Sequence, residues 1–199
     1  MFSQLVSRPY PKVKTILDGR GSYNDLLRIR KYNIWTALGH SVAAFGTFHL
    51  GGWYLTPFFV YIASGKLSAL QLTRKYWPSY VSQIDIEEHD GEKLARLYIG
   101  KKRQELVTDC RNLYSLITNE TMIERLKYFN DNKSESELRL FIKIKDLSLV
   151  QDPMKFAYLQ NDYLVATYDR NNPDDRIELG LVADMLFGAD IVLNDATDR

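Results

Sequence analysis

The sequence predicts an α+β protein: a two-helix transmembrane hairpin followed by a small α+β domain with antiparallel β-hairpins. Three observations carry this prediction. From Ile34 to Gly65 there are 32 residues without Asp, Glu, Lys or Arg. A glycine pair, Gly51 and Gly52, falls near the middle of that run. Beyond residue 75 the pattern changes to short β-type runs separated by turn residues. The implied organisation is a basic amino-terminal arm at 1–30, the hairpin at 31–75 with its tip at 51–52, and the α+β domain at 76–199.

A membrane-crossing helix needs about 20 mainly apolar residues, so the uncharged run is too long for one span and too short for two. Extending it to Arg28, Arg30 and Lys31 on one side and Arg74 and Lys75 on the other leaves about one span each side of the glycines. Gly-Gly is turn chemistry, Trp53 and Tyr54 suit a membrane boundary, and Pro57 falls where a second helix begins. A hairpin keeps both basic flanks on one side, which a single span does not. Lys66 then lies in or near the second span and must snorkel or pair within an assembly. Gly39, Ala43 and Gly46 have the small-residue spacing of close helix approach, toward the second helix or another protein. His40 and His49 fall on opposite faces of one helix, about 13 Å apart, and cannot share a metal. A soluble or peripheral protein-binding α+β domain with a buried helical hairpin is the alternative, because Thr36, His40, Ser41, Thr47, His49 and Thr56 dilute the run.

The following elements are predicted in order. Tyr80–Glu87 is a strand with Ser82, Ile84 and Ile86 on one side of its pleat. Asp90-Gly91 is a tight turn into a second strand at Leu94–Ile99. Lys101, Lys102 and Arg103 form a basic loop after Gly100. Thr121 and Glu124 have capping-box spacing for a helix whose Met122, Leu126 and Phe129 share a face. Asn130–Ser134 is a loop. Leu138, Leu140, Ile142 and Ile144 alternate with Arg139, Phe141, Lys143 and Lys145, the clearest period-two stretch in the chain. Tyr163–Tyr168 is a further strand. Asp174 or Asp175 caps a last helix with Ile177, Leu181 and Met185 on one face, ended by Gly188.

Composition narrows the function. The net charge is +1, which excludes a global nucleic-acid-binding surface. Charge is nevertheless polarised: residues 1–33 hold seven Lys/Arg against two acids, and residues 145–199 hold five against eleven. The acid-poor amino end has the composition of a mitochondrial import signal, although Pro9 and Pro11 interrupt any amphipathic helix there. Cys110 is the single cysteine, so no intrachain disulfide and no cysteine-cluster metal site can form. No phosphate-binding loop, dinucleotide fingerprint, zinc-protease motif or nucleophile elbow is present. Glu87, Glu88 and Asp90 cluster beside a turn, where a solvated acidic tip is the ordinary outcome. The expectation is a non-enzymatic chain without cofactor or metal.

A basic amino end, a hairpin joined by a glycine turn, and a domain opening with VSQIDIEEHDGEKLARLYIGKK together resemble the two-span mitochondrial inner-membrane group of transmembrane proteins 70 and 186. The likeness covers residues 28 to about 117, is architectural, and transfers no catalytic residue. It implies an assembly factor for respiratory complex I or ATP synthase; a supernumerary subunit of a respiratory complex has similar architecture. The implied partners are other subunits of a membrane protein complex and membrane lipids such as cardiolipin, met through Arg28, Arg30, Lys31, Arg74 and Lys75. The implied location is the mitochondrial inner membrane with both termini on the matrix side.

Overall fold

The computed structural model describes residues 12–76, 79–89, 91–100, 103–151 and 163–189. The expectations for residues 1–11, Asp90, Lys101, Lys102 and the acidic end beyond 189 lie outside these, as do the side chains of Arg74, Lys75 and His89. The strands are β1 (Lys12–Asp18), β2 (Tyr80–His89), β3 (Glu92–Ile99), β4 (Gln104–Asp109), β5 (Leu113–Ser115), β6 (Glu137–Ile144), β7 (Leu164–Asp169) and β8 (Arg176–Ile177). The helices are α1 (Arg20–His49), α2 (Thr56–Tyr76), α3 (Asn119–Asp131) and α4 (Leu179–Phe187). The protein is thus α+β, with four helices and one curled mixed sheet among the described residues.

The sheet runs β4-β3-β2-β7-β6-β5, with β1 paired to β2 and β8. Only β2–β7 is parallel. The outermost strands of this path, β4 and β5, are consecutive in sequence and separated by a single 3-10 turn, Cys110–Asn112. A path whose two ends are three residues apart cannot stay flat, so the sheet curls. Hydrogen bonds from Gln151 N to Val107 O (2.9 Å) and from Thr108 Oγ1 to Leu149 O (3.3 Å) carry the chain after β6 across the gap. Asn112 is buried there and holds both sides, donating to Thr108 Oγ1 and Asp146 O at 2.8 Å.

Alternation decides what enters the curl. Ile84 and Ile86 of β2, Ala95, Leu97 and Ile99 of β3, Leu106 of β4, and Leu138, Leu140 and Ile142 of β6 are buried in one cluster. Two helices fill the concave side: Met122, Leu126 and Phe129 from α3, and Val182, Met185 and Leu186 from α4. Each such side chain removed from water contributes roughly 1.5–3 kcal/mol before chain entropy is set against it. Between β2 and β3 Gly91 has φ 83°, left-handed backbone that glycine adopts without strain.

Several local expectations change. Residues 12–30, read as part of an arm, form β1 and the first turns of α1. The cap of α3 is Thr118, whose hydroxyl accepts from Thr121 N, three residues before the expected capping threonine. Asp174 and Asp175 do not cap α4, which begins at Leu179, while Gly188 ends it with φ 70°.

The transmembrane hairpin is a correction of substance. Residues 20–76 do form two helices joined by a turn, but no helix among the described residues is long and apolar enough to cross a membrane. An uncharged run is not the same as an apolar one. Asn33, Thr36, His40, Ser41, Thr47 and His49 interrupt α1, and α2 carries Lys66, Gln71, Arg74 and Lys75. The hairpin is not buried in its own body either, since its outward side chains are exposed.

The root of α1 is built by tertiary contacts. β3 takes one edge of β2, and the other edge is shared: residues 83–88 pair with β1 and residues 80–81 with β7. Gly19 sits at this fork, donating to Ser82 O at 2.9 Å. A Cβ there would lie 2.2 Å from Thr167 O, so only glycine fits. The first turn of α1 has no acidic residue of its own. Its donors are met instead by Asp18, which accepts from Arg20 N at 3.2 Å, and by Asp175, which accepts from Ser22 N at 3.0 Å and from the Ser22 hydroxyl. Both carboxylates lie where the helix dipole favours negative charge. Tyr23 packs on Tyr80 with ring centroids 5.1 Å apart.

Two outcomes follow from this frame. Gly19→Ala and Asp175→Ala each lower stability, the latter by about 1–3 kcal/mol for a lost buried acceptor, whereas Gly180→Ala, with nothing within 4 Å of its Cβ, does not lower the urea midpoint. Burial pushes the Cys110 thiol, and the Tyr23 and Tyr80 phenols, up to about 12. Unfolded values are about 8.5 for cysteine and 10 for tyrosine, so their contribution to stability is complete below those values and is lost as pH rises through about 12. The urea midpoint therefore falls above about pH 8.5, and Cys110→Ala removes the decline between about 8.5 and 10 and lessens it from there to about 12, where the tyrosines still contribute.

Candidate interaction site

Beyond its root, α1 leaves the sheet and pairs with α2. At 1.5 Å per residue the 30 residues of α1 extend about 45 Å. The contact between the helices is one narrow seam. On α1 it is Asn33, Ala37, His40, Ala44 and Thr47, and on α2 it is Thr56, Phe59, Ala63 and Lys66. These recur at alternating steps of three and four, the period of antiparallel helix pairs. Asn33, Ala37, Ala44 and Ala63 are buried. Thr47 Oγ1 meets Thr56 Oγ1 at 3.1 Å, the His40 and Phe59 rings lie 5.9 Å apart, and Lys66 Nζ sits 5.3 Å from the Tyr32 ring centre.

Everything outside the seam faces outward. Trp35, Leu38, Val42, Phe45 and Phe48 of α1 and Phe58, Val60 and Tyr61 of α2 are each more than half exposed. The turn adds Leu50, Trp53 and Tyr54. Large apolar side chains gathered on the outward side of a helix pair, without charge between them, mark a surface that a partner covers. Its hydroxyls agree with that. Thr36 donates to Tyr32 O, Ser41 to Ala37 O, Thr47 to Ala43 O and Ser64 to Tyr61 O, all at 2.8–3.0 Å. His40 Nδ1 lies 2.7 Å from Thr36 O, which can only accept, so Nδ1 carries the proton. The serine and threonine hydroxyls of the uncharged run are therefore bonded within the hairpin, and covering it with another apolar surface strands none of these.

The sequence-derived positions divide between these features. A Cβ on Gly39 or Gly46 would meet nothing within 4 Å, so these glycines do not carry the α1–α2 approach; alanines 37, 44 and 63 do. Gly39 and Ala43 instead line an open groove of about 460 Å³ with Tyr32, Trp35, Thr36, His40 and Phe59. Gly51, with φ 84°, and Gly52 make the turn, and Trp53 stands exposed at the tip. Lys66 Nζ lies over the Tyr32 ring, 5.3 Å from its centre. Arg28 is exposed beside Asp25 (3.5 Å), and Lys31 is exposed one turn on. His49 lies 4.1 Å from the Phe45 ring, edge to face, well along the helix from His40.

Two polar regions were not legible from sequence. One is the root, with Asp18, Gly19, Gly21, Ser22 and Asp175; no local signal links residue 22 to residue 175. The other is the outer face of β1–β4, where Gln83 and Asp85 are buried, Gln83 Nε2 donates to both Asp85 oxygens, and Arg103 donates to Gln83 Oε1 at 2.6 Å. Period two in β2 and β3 was its only trace. A groove of about 770 Å³ between the root and β8 is lined by Asp18, Arg20, Asp174, Arg176 and Glu178, of which Arg20 pairs with Asp18 and Glu178 with Lys14 (2.8 Å). Among the described residues no group of three His, Cys, Asp or Glu is placed to hold a metal. The feature with unmet capacity is the hairpin.

Because nothing crowds them, Gly39→Ala and Gly46→Ala raise stability by about 0.5–1 kcal/mol each, measured by urea unfolding; a close helix contact at either glycine gives the opposite sign. Lys66→Gln lowers it by about 0.5–1 kcal/mol through loss of the ring contact. A scan against protein-family models and a search of curated proteins found nothing that matches this chain.

Proposed function

We propose that this chain is a non-catalytic docking protein whose hairpin is buried among helices of other proteins while the α+β body holds it at a fixed angle. The observation that supports this reading most directly is the uncharged, outward-facing apolar surface of the hairpin with its hydroxyls bonded internally. Exposed apolar surface on this scale marks an interaction site rather than an ordinary monomer surface. The finer proposal is an accessory subunit or assembly factor of a mitochondrial oxidative-phosphorylation complex, complex I foremost. It rests on the resemblance of the basic amino end and of a hairpin preceding an α+β domain, without the membrane crossing.

Native gel electrophoresis of tagged full-length chain in its own cells, with mass spectrometry of the band, tests both levels. The chain is expected in a large assembly, released as a monomer by combined Trp35→Gln, Phe45→Gln and Phe58→Gln substitution with its circular dichroism unchanged. Retention of that variant in the assembly overturns the docking reading. An assembly without oxidative-phosphorylation subunits overturns only the finer proposal.

A further inference from the structure

The groove on α1 has a shape and a polarity that the rest of the hairpin surface lacks. Gly39, Ala43, Tyr32, Trp35 and Phe59 line this open groove of about 460 Å³. His40 lines the same groove. With Nδ1–H bonded to Thr36 O, Nε2 is the ring nitrogen left to meet a partner. A fluid lipid chain has no use for a fixed notch and offers no donor to a nitrogen lone pair, whereas a helix supplies both a large side chain and a donor at a fixed spacing.

Charge limits the occupant further. Between Arg20 and Tyr76 the one acidic residue is Asp25, against Arg20, Arg28, Arg30, Lys31, Lys66, Arg74 and Lys75. A second copy of the hairpin laid alongside brings like charge to like charge and almost no carboxylate in either direction. The complement of this surface is apolar opposite Ile34–Gly65 and acidic opposite Arg28 and Lys31.

Resting on the docking reading, we propose that this groove seats one uncharged helix of another protein. That helix is uncharged only where it crosses the groove: it places a large side chain over Gly39 and Ala43 and donates a hydrogen bond to His40 Nε2. Beyond that stretch it carries Asp or Glu roughly 12–17 Å away along its axis, the distance from Gly39 back to Lys31 and Arg28.

The test uses full-length chain in its own cells with Trp35 replaced by p-benzoylphenylalanine, and sequencing of the crosslinked peptide. The expected adduct is a peptide of another protein, uncharged over about four helical turns, with an acidic residue about one to two turns from the crosslink. Gly39→Leu fills the notch, its Cβ meeting nothing within 4 Å, and is expected to cut the yield about tenfold, while Gly180→Leu in α4 does not. A lipid adduct, a crosslink to a second copy, or a yield unmoved by Gly39→Leu overturns the proposal. Crosslinkers at Phe58 and Tyr61 separate the two levels. If they still capture protein helices, docking stands without this groove; if no hairpin position captures protein, both fall.

Discussion

The carboxylate of Asp175 accepts from the backbone and hydroxyl of Ser22 and from Asp169 N at 2.9 Å, and through it the first turn of α1 is tied to the end of β7. A helix start leaves several N–H groups without partners, and α1 begins with a glycine cap that has no side chain to offer. A residue 153 positions away supplies what the local sequence does not. Gly19 beside Thr167 O and Gly21 beside the Asn172 side chain let the chain come close enough for this to happen. The hairpin's angle to the sheet is set at this junction. A docking arm of some 45 Å turns any looseness at its root into a large displacement at its tip.

The sheet imposes a second constraint. Because β4 and β5 follow one another directly, the strand path must curl, and the curl encloses a core that α3 and α4 fill. The β1 strand then joins through a bulge at Ile16, where the register with β2 shifts between Thr15 and Leu17. The bulge leaves Ile16 and Leu17 both buried and aims Ile16 O at Glu178 N (2.8 Å), extending the sheet toward β8. The body is closed by these contacts, and the apolar surface left over is concentrated in the hairpin.

That distribution explains why the hairpin reads ambiguously. Two helices in contact bury only the stripe each turns to the other, and the seam here is made of small and polar residues. Aromatic side chains lie outside it, where a self-sufficient pair carries charge. Lipid, protein or the chain's own body is able to cover such a surface as far as residue type goes. Interleaved Asn33, His40 and His49 make it too polar to cross a membrane as a helix, and its distance from the body leaves other proteins as the proposed cover.

What the sequence determined by itself was local and periodic. The alternation of Leu138–Ile144, the Asp-Gly turn before Leu94, the Met122–Leu126–Phe129 face, the stop at Gly188 and the glycine turn of the hairpin follow from side-chain period and backbone freedom, which need no distant partner. Tertiary structure alone decided the rest. Thr118 rather than Thr121 caps α3, Asp175 serves α1 rather than α4, and Gly39 and Ala43 open a groove while Ala37 and Ala44 make the seam. Each of these turns on which residue a group meets across the fold. A one-position shift around a helix axis, about 100°, exchanges an inner stripe for an outer one, and the small-residue spacing is the same in both.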